Sequence, residues 1–586
     1  MRGDAFSSEY KNFDKNLALK LLKYLKPYKK YVILAFIFTL FTSATAPLRP
    51  YLIKIAIDDY ITFSNLYGLL KIIALIFSLI ILNSALQFLM TFIMQAVGQK
   101  TLFDIRHKIF EKLTKLPLTY FDKNPVGRIV TRLTNDVEGL NQFFSQGVVL
   151  IFADIFLIIW IIIFMFYTSV ELSFISLSIL PLLFISTALF RNKVRDLFRK
   201  LRLELASMNS FINENITGIF TIKIFNREKN QLEIFDRSNC TMRELNIKTI
   251  LYYAIFFPIV ELIMSLALAL VLWYSASHIF SDSLTIGTLV AFLQFTEMFF
   301  RPVRDLSEKY TTLQSAMASA ERVIELLETD VKSENHTKCK EFKFDNKIEF
   351  ENVSFSYNGK TQVLRNISFT VIKGEKVAIV GATGSGKTTL IKLLTKFYEK
   401  FDGYIKIDGV DIRDIPTEEL RKNIALVMQD VFLFSRTISD NITMGNGLYT
   451  IDQVQYASEQ IGLHSFIAQL NNAYETELNE LGSNLSTGQR QLISFTRAFI
   501  RNPQILILDE ATSNIDTFSE EIINNALDKL MKDRTSIIIA HRLSTIQNAD
   551  KIIVLHKGEV KEIGTHNELV NKCGIYHKLY QLQFQK

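Results

Sequence analysis

The chain has 586 residues, 49% of them hydrophobic, with 47 phenylalanines and a formal net charge of +7. That length exceeds one ordinary domain and that hydrophobicity exceeds a soluble chain, and the excess lies in residues 31–304, so a membrane domain precedes a soluble α/β one. Three scattered cysteines and eight histidines without ligand spacing argue against a disulfide framework or a structural metal. Lys and Arg concentrate between particular apolar runs, which makes the positive balance a topology signal and not a sign of nucleic-acid binding.

The first thirty residues carry a run of lysines from Lys11 to Lys30 and lead into a long apolar segment with no small-residue cleavage site, as expected of an uncleaved anchor. A bilayer core needs about 20 apolar residues per helix. Six stretches qualify, at 31–52, 68–92, 146–167, 170–190, 251–276 and 284–304, which predicts an all-α six-helix transmembrane domain over 1–328. Spans three and four are separated by Tyr167-Thr168-Ser169 and spans five and six by Ser277 to Ser283.

Basic residues set the expected orientation. Lys100, Arg106, Lys108, Lys112, Lys115, Lys123, Arg128 and Arg132 lie between spans two and three, and Arg191, Lys193, Arg195, Arg199, Lys200 and Arg202 follow span four. The opposite turns carry Asp58, Asp59, Glu171 and Asp282, so both termini are expected in the cytoplasm of a multi-pass cell-membrane protein. The two basic segments repeat apolar residues at helical spacing over Lys100–Leu116 and Arg191–Phe220, predicting long helical hairpins tipped by turns at Asp122–Gly127 and Asn215–Gly218. Inside the spans, Asn83, Gln87, Asp154, Glu261, Gln294 and Glu297 are either a polar substrate path favouring cations or interhelical hydrogen-bonding groups.

After Arg301-Pro302 an amphipathic helix runs to Glu328, and the polar stretch 329–346 reads as a linker. From Lys347 to the end, short apolar runs alternate with helical patterns, the sign of an α/β domain. Its segment Gly381-Ala382-Thr383-Gly384-Ser385-Gly386-Lys387-Thr388-Thr389 follows a predicted strand, Lys376–Val380, and precedes a predicted helix, Leu390–Tyr398. That is a P-loop in its proper context. Glycines let backbone N–H groups close around the phosphates of ATP, Lys387 reaches the β- and γ-phosphates, and the Thr388 hydroxyl binds Mg²⁺. A second strand ends in Asp509, suited to a water-mediated Mg²⁺ contact, and Glu510, suited to polarising the attacking water. A third, Thr535–Ala540, delivers His541 in the same register, within reach of a γ-phosphate.

Leu485-Ser486-Thr487-Gly488-Gln489-Arg490-Gln491 resembles the signature motif of ATP-binding-cassette (ABC) proteins, at the family's position between P-loop and acidic strand. Tyr357 resembles the aromatic that stacks on adenine, and Gln429 the loop glutamine that coordinates Mg²⁺. Ser513-Asn514-Ile515-Asp516 is similar to the loop after the catalytic acid, and His541 to the switch histidine. Residues Pro117–Asp136 and Glu214–Glu228 are similar to the two intracellular loops of multidrug and lipid-A exporters, so the resemblance spans about residues 17–580.

The resemblance implies a half-transporter of the type I exporter kind, its α/β P-loop NTPase motor fused to the membrane domain. The activity would be ATP-driven export or flipping of small amphipathic molecules, drugs or lipids. An ATP-gated channel or regulatory protein on the same scaffold is the alternative. Ser486, Gly488 and Gln489 would meet ATP held by the P-loop of a partner chain. One feature departs from the family: Thr487 stands where glycine is usual. A second copy of the chain and a paralogous half-transporter both remain open as the partner.

Overall fold

The computed structural model describes residues 15–279, 284–329, 342–509, 517–539 and 546–584. The chain forms two compact units, one of residues Met1–Thr114 and Val126–Thr329, the other of Lys115–Pro125 and Asp330–Lys586.

The first unit is helical. Among the described residues, four helical stretches are long and apolar enough to cross a membrane: Lys26–Ile61, Leu66–Lys115, Val170–Thr217 and Glu228–Ile279. The third and sixth expected spans correspond to shorter apolar stretches, Phe152–Thr168 and Ile286–Phe300, the latter the start of a helix that continues to Glu328. Helix Leu66–Lys115 has 50 residues and Glu228–Ile279 has 52. At about 1.5 Å per residue each is roughly 75 Å long, more than twice a bilayer core, so the expected cytoplasmic hairpins are extensions of the spans. Ile161, Met165, Leu172, Ala267, Phe292 and Phe295 form a buried interhelical core, while Phe88, Phe92, Phe184 and Trp273 stay exposed on helix faces. Apolar outward faces of this kind suit lipid contact.

Each expected tip turn contains a break between two helices. Leu118–Lys123 is helical, and Pro125 ends it by forcing the preceding Asn124 into an extended conformation, φ −120° and ψ 111°. Gly218 interrupts the second hairpin between helices Leu180–Thr217 and Ile219–Ile224.

The described residues of the second unit form two sheets. Strands β1 (Lys347–Phe355), β2 (Leu364–Ile372), β4 (Asp402–Ile407) and β5 (Val410–Asp411) form an antiparallel sheet ordered β2-β1-β4-β5. The other sheet contains β3 (Lys376–Val380), β6 (Ile424–Val427), β7 (Ile505–Asp509), β8 (Thr535–Ile539), β9 (Lys551–His556) and β10 (Glu559–Gly564), ordered β10-β9-β3-β8-β7-β6. Of its five pairings, four are parallel and one, the β9–β10 hairpin at the edge, is antiparallel. β8 is buried at every position and β7 at all but its last, the continuous apolar pattern of a sheet covered on both faces. Helix Lys387–Leu394 packs into the hydrophobic core on one side of this sheet, with Ile379 and Ile507, and helix Thr487–Ile500 into the core on the other, with Leu506 and Ile538.

Candidate functional site

In a doubly covered parallel sheet the loops after the strands collect at one edge, where ligands bind. The P-loop leaves β3, and Asp509 ends β7, with β8 between them. Pairing places Ile379 and Asp509 each opposite Ile539, so P-loop and acid emerge at one level. Val427 of β6 pairs with Leu508, which sets Gln429 just beyond the level of Asp509. Glu510, His541 and the Ser513–Asp516 loop lie outside the described residues.

The P-loop helix begins at Lys387 and ends at Leu394, earlier at both ends than expected. The reason is Gly386, whose φ of 102° turns the chain directly into the helix, so that the helix N-terminus opens onto the P-loop. A side chain there would also strike Leu364 Cδ2 at 2.6 Å. Lys387 is buried, and its Nζ donates to the carbonyls of Gly381 at 2.6 Å and Ala382 at 3.3 Å. Thr383, Gly384 and Thr388 are exposed. Ser385 Oγ is buried with no hydrogen-bond partner among the described residues. Such an orphaned group costs about 1–3 kcal/mol, and a phosphate oxygen is the acceptor this loop is shaped to bring.

Tyr357 follows β1 and is 43% exposed, leaving ring surface for a base to stack on. Its hydroxyl lies 3.0 Å from Thr389 Oγ1, tying it to the P-loop helix, and its ring meets Tyr398 edge-on at 5.2 Å. Tyr398 is almost wholly buried, and its hydroxyl donates to Asp122 of the first hairpin tip. Burial, then that hydrogen bond, pushes the Tyr398 phenol well above the ordinary tyrosine range. Leu118 of the same tip packs on the core beneath the P-loop. Neither Tyr398 nor Asp122 was marked as functional by its sequence context, because the two lie 276 residues apart.

The signature occupies a separate part of the unit. Ser486 caps helix Thr487–Ile500 in a capping box: Gln489 N–H donates to its hydroxyl at 3.2 Å, and the Gln489 side chain accepts from Ser486 N–H at 2.9 Å. The Gln489 amide oxygen is therefore used locally. Gly488 is buried, whereas Ser486 and Thr487 are exposed at a helix N-terminus, a setting that favours anions. The Thr487 hydroxyl accepts from Arg490 at 3.2 Å, which accommodates the departure from glycine without burying a polar group.

The membrane unit has a site of its own. A cleft of about 1040 Å³ opens between helices Lys29–Ile55, Leu66–Lys115, Glu228–Ile279 and Ile286–Glu328. Of the six intramembrane polar residues singled out above, Asn83, Gln87, Glu261, Gln294 and Glu297 all line it. Asp154 does not, and it is engaged elsewhere. Arg49 joins them and escaped the sequence reading because it sits at the end of an apolar run.

Known families agree with this geometry. Residues 32–303 match the ABC transporter transmembrane region and residues 364–513 the ABC transporter model. The chain is 39% identical over 569 residues to the uncharacterized ABC transporter ATP-binding protein YknV of Bacillus subtilis, covering 96% of this chain and 94% of that one. It is 35% identical over 568 residues to the ATP-dependent lipid A-core flippase of Syntrophus aciditrophicus, covering 97% and 94%. It is 36% identical over 572 residues to YgaD of Bacillus subtilis, described as a candidate multidrug export ATP-binding/permease protein, covering 96% and 99%. The chain belongs to the ABC transporter family, as an exporter-type half-transporter that binds nucleotide and couples ATP hydrolysis to transport across a membrane.

Proposed function

We propose that the chain exports or flips small amphipathic molecules, drugs or lipids, as one half of a dimer whose motors lie in the cytoplasm. The observation that carries this is a mixed polar and apolar cleft inside the membrane unit of a chain that also holds a P-loop motor. The names of the relatives, a lipid A-core flippase and a multidrug export candidate, support the same substrate classes. The basic hairpins support a reading with both termini in the cytoplasm of a cell-membrane protein, and the shorter apolar stretches at 152–168 and 286–300 support counting six spans.

In this reading Tyr357 stacks on adenine. The backbone of Gly381, Gly384 and Gly386, with Thr383, Ser385, Lys387 and Thr389, binds and orients the phosphates. Thr388, Asp509 and Gln429 offer an all-oxygen donor set suited to Mg²⁺, whose chemistry is to neutralise charge on the β- and γ-phosphate oxygens. Glu510 polarises the attacking water and His541 holds the γ-phosphate. Ser486 and Gly488 of a partner chain close the site from the other side, with Gln489 holding the Ser486 backbone. ATP-driven closure of the motors then switches the cleft between the two membrane faces, which requires that substrate bind the two states with different affinity.

The test is ATP hydrolysis by this chain alone in nanodiscs, beside Glu510→Gln. Turnover abolished by the substitution supports a homodimer with Glu510 as the catalytic carboxylate. Folded, ATP-binding protein with negligible turnover assigns a paralogous partner and makes Thr487 its mark. Export itself is read from inside-out proteoliposomes, and hydrolysis without uphill accumulation of any amphiphile would sink the transport reading.

A further inference from the structure

Residues 15–31 hold six lysines and no aspartate or glutamate, so a single sign of charge fills the approach to the first apolar stretch. The chain folds there as a short helix, Lys15–Tyr24, a 3₁₀ turn, Lys26–Tyr28, and then the long helix Lys29–Ile55. The short helix is a strap laid on the membrane unit. Its Ala18 and Leu21, with Leu25 just beyond, recur at helical spacing and are buried. Lys20 Nζ pairs with Glu328 at 2.6 Å, the last residue of helix Ile286–Glu328. The Tyr28 hydroxyl donates to Asp104 Oδ2 at 3.0 Å, and Lys108 Nζ sits 5.0 Å from the centre of the Tyr24 ring. Asp104 and Lys108 both belong to helix Leu66–Lys115, so contacts to two different helices fix which face the strap turns outward.

That outward face is both apolar and cationic. Leu19 and Leu22 are 58% and 38% exposed, and Lys23 stands beside them, four residues on from Leu19. Lys26, Lys29 and Lys30 are exposed as well. Lys20 has Glu328, but the side chains of Lys23, Lys26, Lys29 and Lys30 have no hydrogen bond or ion pair among the described residues. Immediately after them Tyr31, Ile33, Leu34 and Phe36 begin the exposed apolar surface of the first span. Lys29 and Lys30 precede Tyr31 by about 3 Å or less along the helix, and the headgroup layer is about 5–7 Å deep. Their ammonium groups therefore fall among lipid headgroups, with the stems lying along apolar surface.

We infer that this strap is a docking surface for anionic phospholipid. Negatively charged headgroups meet Lys23, Lys26, Lys29 and Lys30, and Leu19 and Leu22 enter the adjoining acyl region. A zwitterionic headgroup brings its own cation and gains little from four lysines. A soluble anion could meet the ammonium groups, but it would leave both leucines in water. Each lysine close to an anionic surface is worth about fivefold in partition. The strap is fastened to helices Leu66–Lys115 and Ile286–Glu328, so headgroup charge sets how firmly it is held against them. The docking is independent of what the cleft carries.

The experiment places the full chain, without nucleotide, in nanodiscs doped with photoactivatable phosphatidylglycerol or with the matching phosphatidylcholine, and maps cross-linked peptides by mass spectrometry. In the wild type the segment 19–34 takes up the phosphatidylglycerol probe at least about fivefold more than the phosphatidylcholine one. Raising the ionic strength from about 0.1 M to about 1 M shortens the screening length from about 10 Å to about 3 Å and removes most of that preference. This arm needs no variant, so it stands even if a substitution disturbs folding. Replacing the four lysines together (K23Q, K26Q, K29Q and K30Q) abolishes the preference, and the same four changed to arginine keep it. Amides of 16–25 exchange more slowly in phosphatidylglycerol nanodiscs than in phosphatidylcholine ones. Equal labelling by the two probes in the wild type, or a preference that survives the glutamine variant or high salt, overturns the assignment. Loss of the preference on adding millimolar inorganic phosphate at matched ionic strength also overturns it, because the surface would then take a soluble anion.

Discussion

Replacing Tyr398 by phenylalanine removes one oxygen and keeps the ring that packs against Phe355 at 5.4 Å and Tyr357 at 5.2 Å. The lost interaction is the hydroxyl's bond to Asp122, which fastens helix Leu118–Lys123 to the α/β unit. A hydrogen bond to a charged acceptor is worth about 1.5–3 kcal/mol. Asp122 is exposed, so water replaces part of it, and about 1 kcal/mol remains as the loss. That corresponds to about fivefold in the opening equilibrium of the docked tip. The assay is hydrogen exchange on the full chain in nanodiscs: amides of 118–123 should exchange about fivefold faster in Tyr398→Phe, with β3, β7 and β8 unchanged. ATP affinity should stay within about twofold, because the stacking ring is Tyr357 and it is untouched. The phenol's raised pKa adds a control. For a group raised above its unfolded value, the linked stability is fully present below that value, about 10, and is lost only as pH climbs through the higher folded one. Protection of 118–123 should therefore not decline between pH 7 and 9 beyond the intrinsic exchange rate. Unchanged exchange in the variant would refute the claim that this hydrogen bond holds the hairpin tip.

Three further outcomes are expected. Gly386→Ala should abolish nucleotide binding by equilibrium dialysis, since its φ of 102° and the 2.6 Å approach to Leu364 leave no room for a methyl group; retained affinity would show that the loop relaxes freely. Asp58→Ala should lower the melting temperature of the membrane unit by the loss of two hydrogen bonds, about 1–2 kcal/mol, whereas Asp58→Asn should recover part of it by accepting one. Asp408 is pushed up by burial, but N–H donors from Asp345, Lys347 and Asn346 outweigh that and hold its carboxyl below the usual range. Stability from this group is therefore fully present above about pH 4 and is lost as pH falls through the depressed value; a wild-type advantage over Asp408→Asn that failed to shrink on acidification would contradict it.

Much of the site was legible because its pieces are contiguous. The P-loop from Gly381 to Thr389 and the segment from Leu485 to Gln491 act through backbone N–H groups and helix starts, which a short string of residue types specifies. Helix ends were less so. Gly386 starts its helix at Lys387, and the turn around Pro125 is a short break flanked by helices Leu118–Lys123 and Val126–Thr131. The membrane spans show the same limit, since hydropathy marks a run as apolar without saying where a helix such as Ile286–Glu328 leaves the bilayer. Gln429 and Asp509 lie eighty residues apart, and only the pairing of β6 with β7 brings them level.

The residues by themselves determined the order of membrane and motor domains, the basic face of the hairpins, the phosphate loop and the signature, because each depends on composition or on neighbours along the chain. The tertiary structure decided what meets what. Helix rotation put Asn83, Gln87, Glu261, Gln294 and Glu297 on one cleft, added Arg49, and left Asp154 out. Packing of the hairpin tip gave Asp122 to Tyr398 across 276 residues. Such contacts follow from which faces bury together, a free-energy balance over the whole unit that no local window of sequence contains.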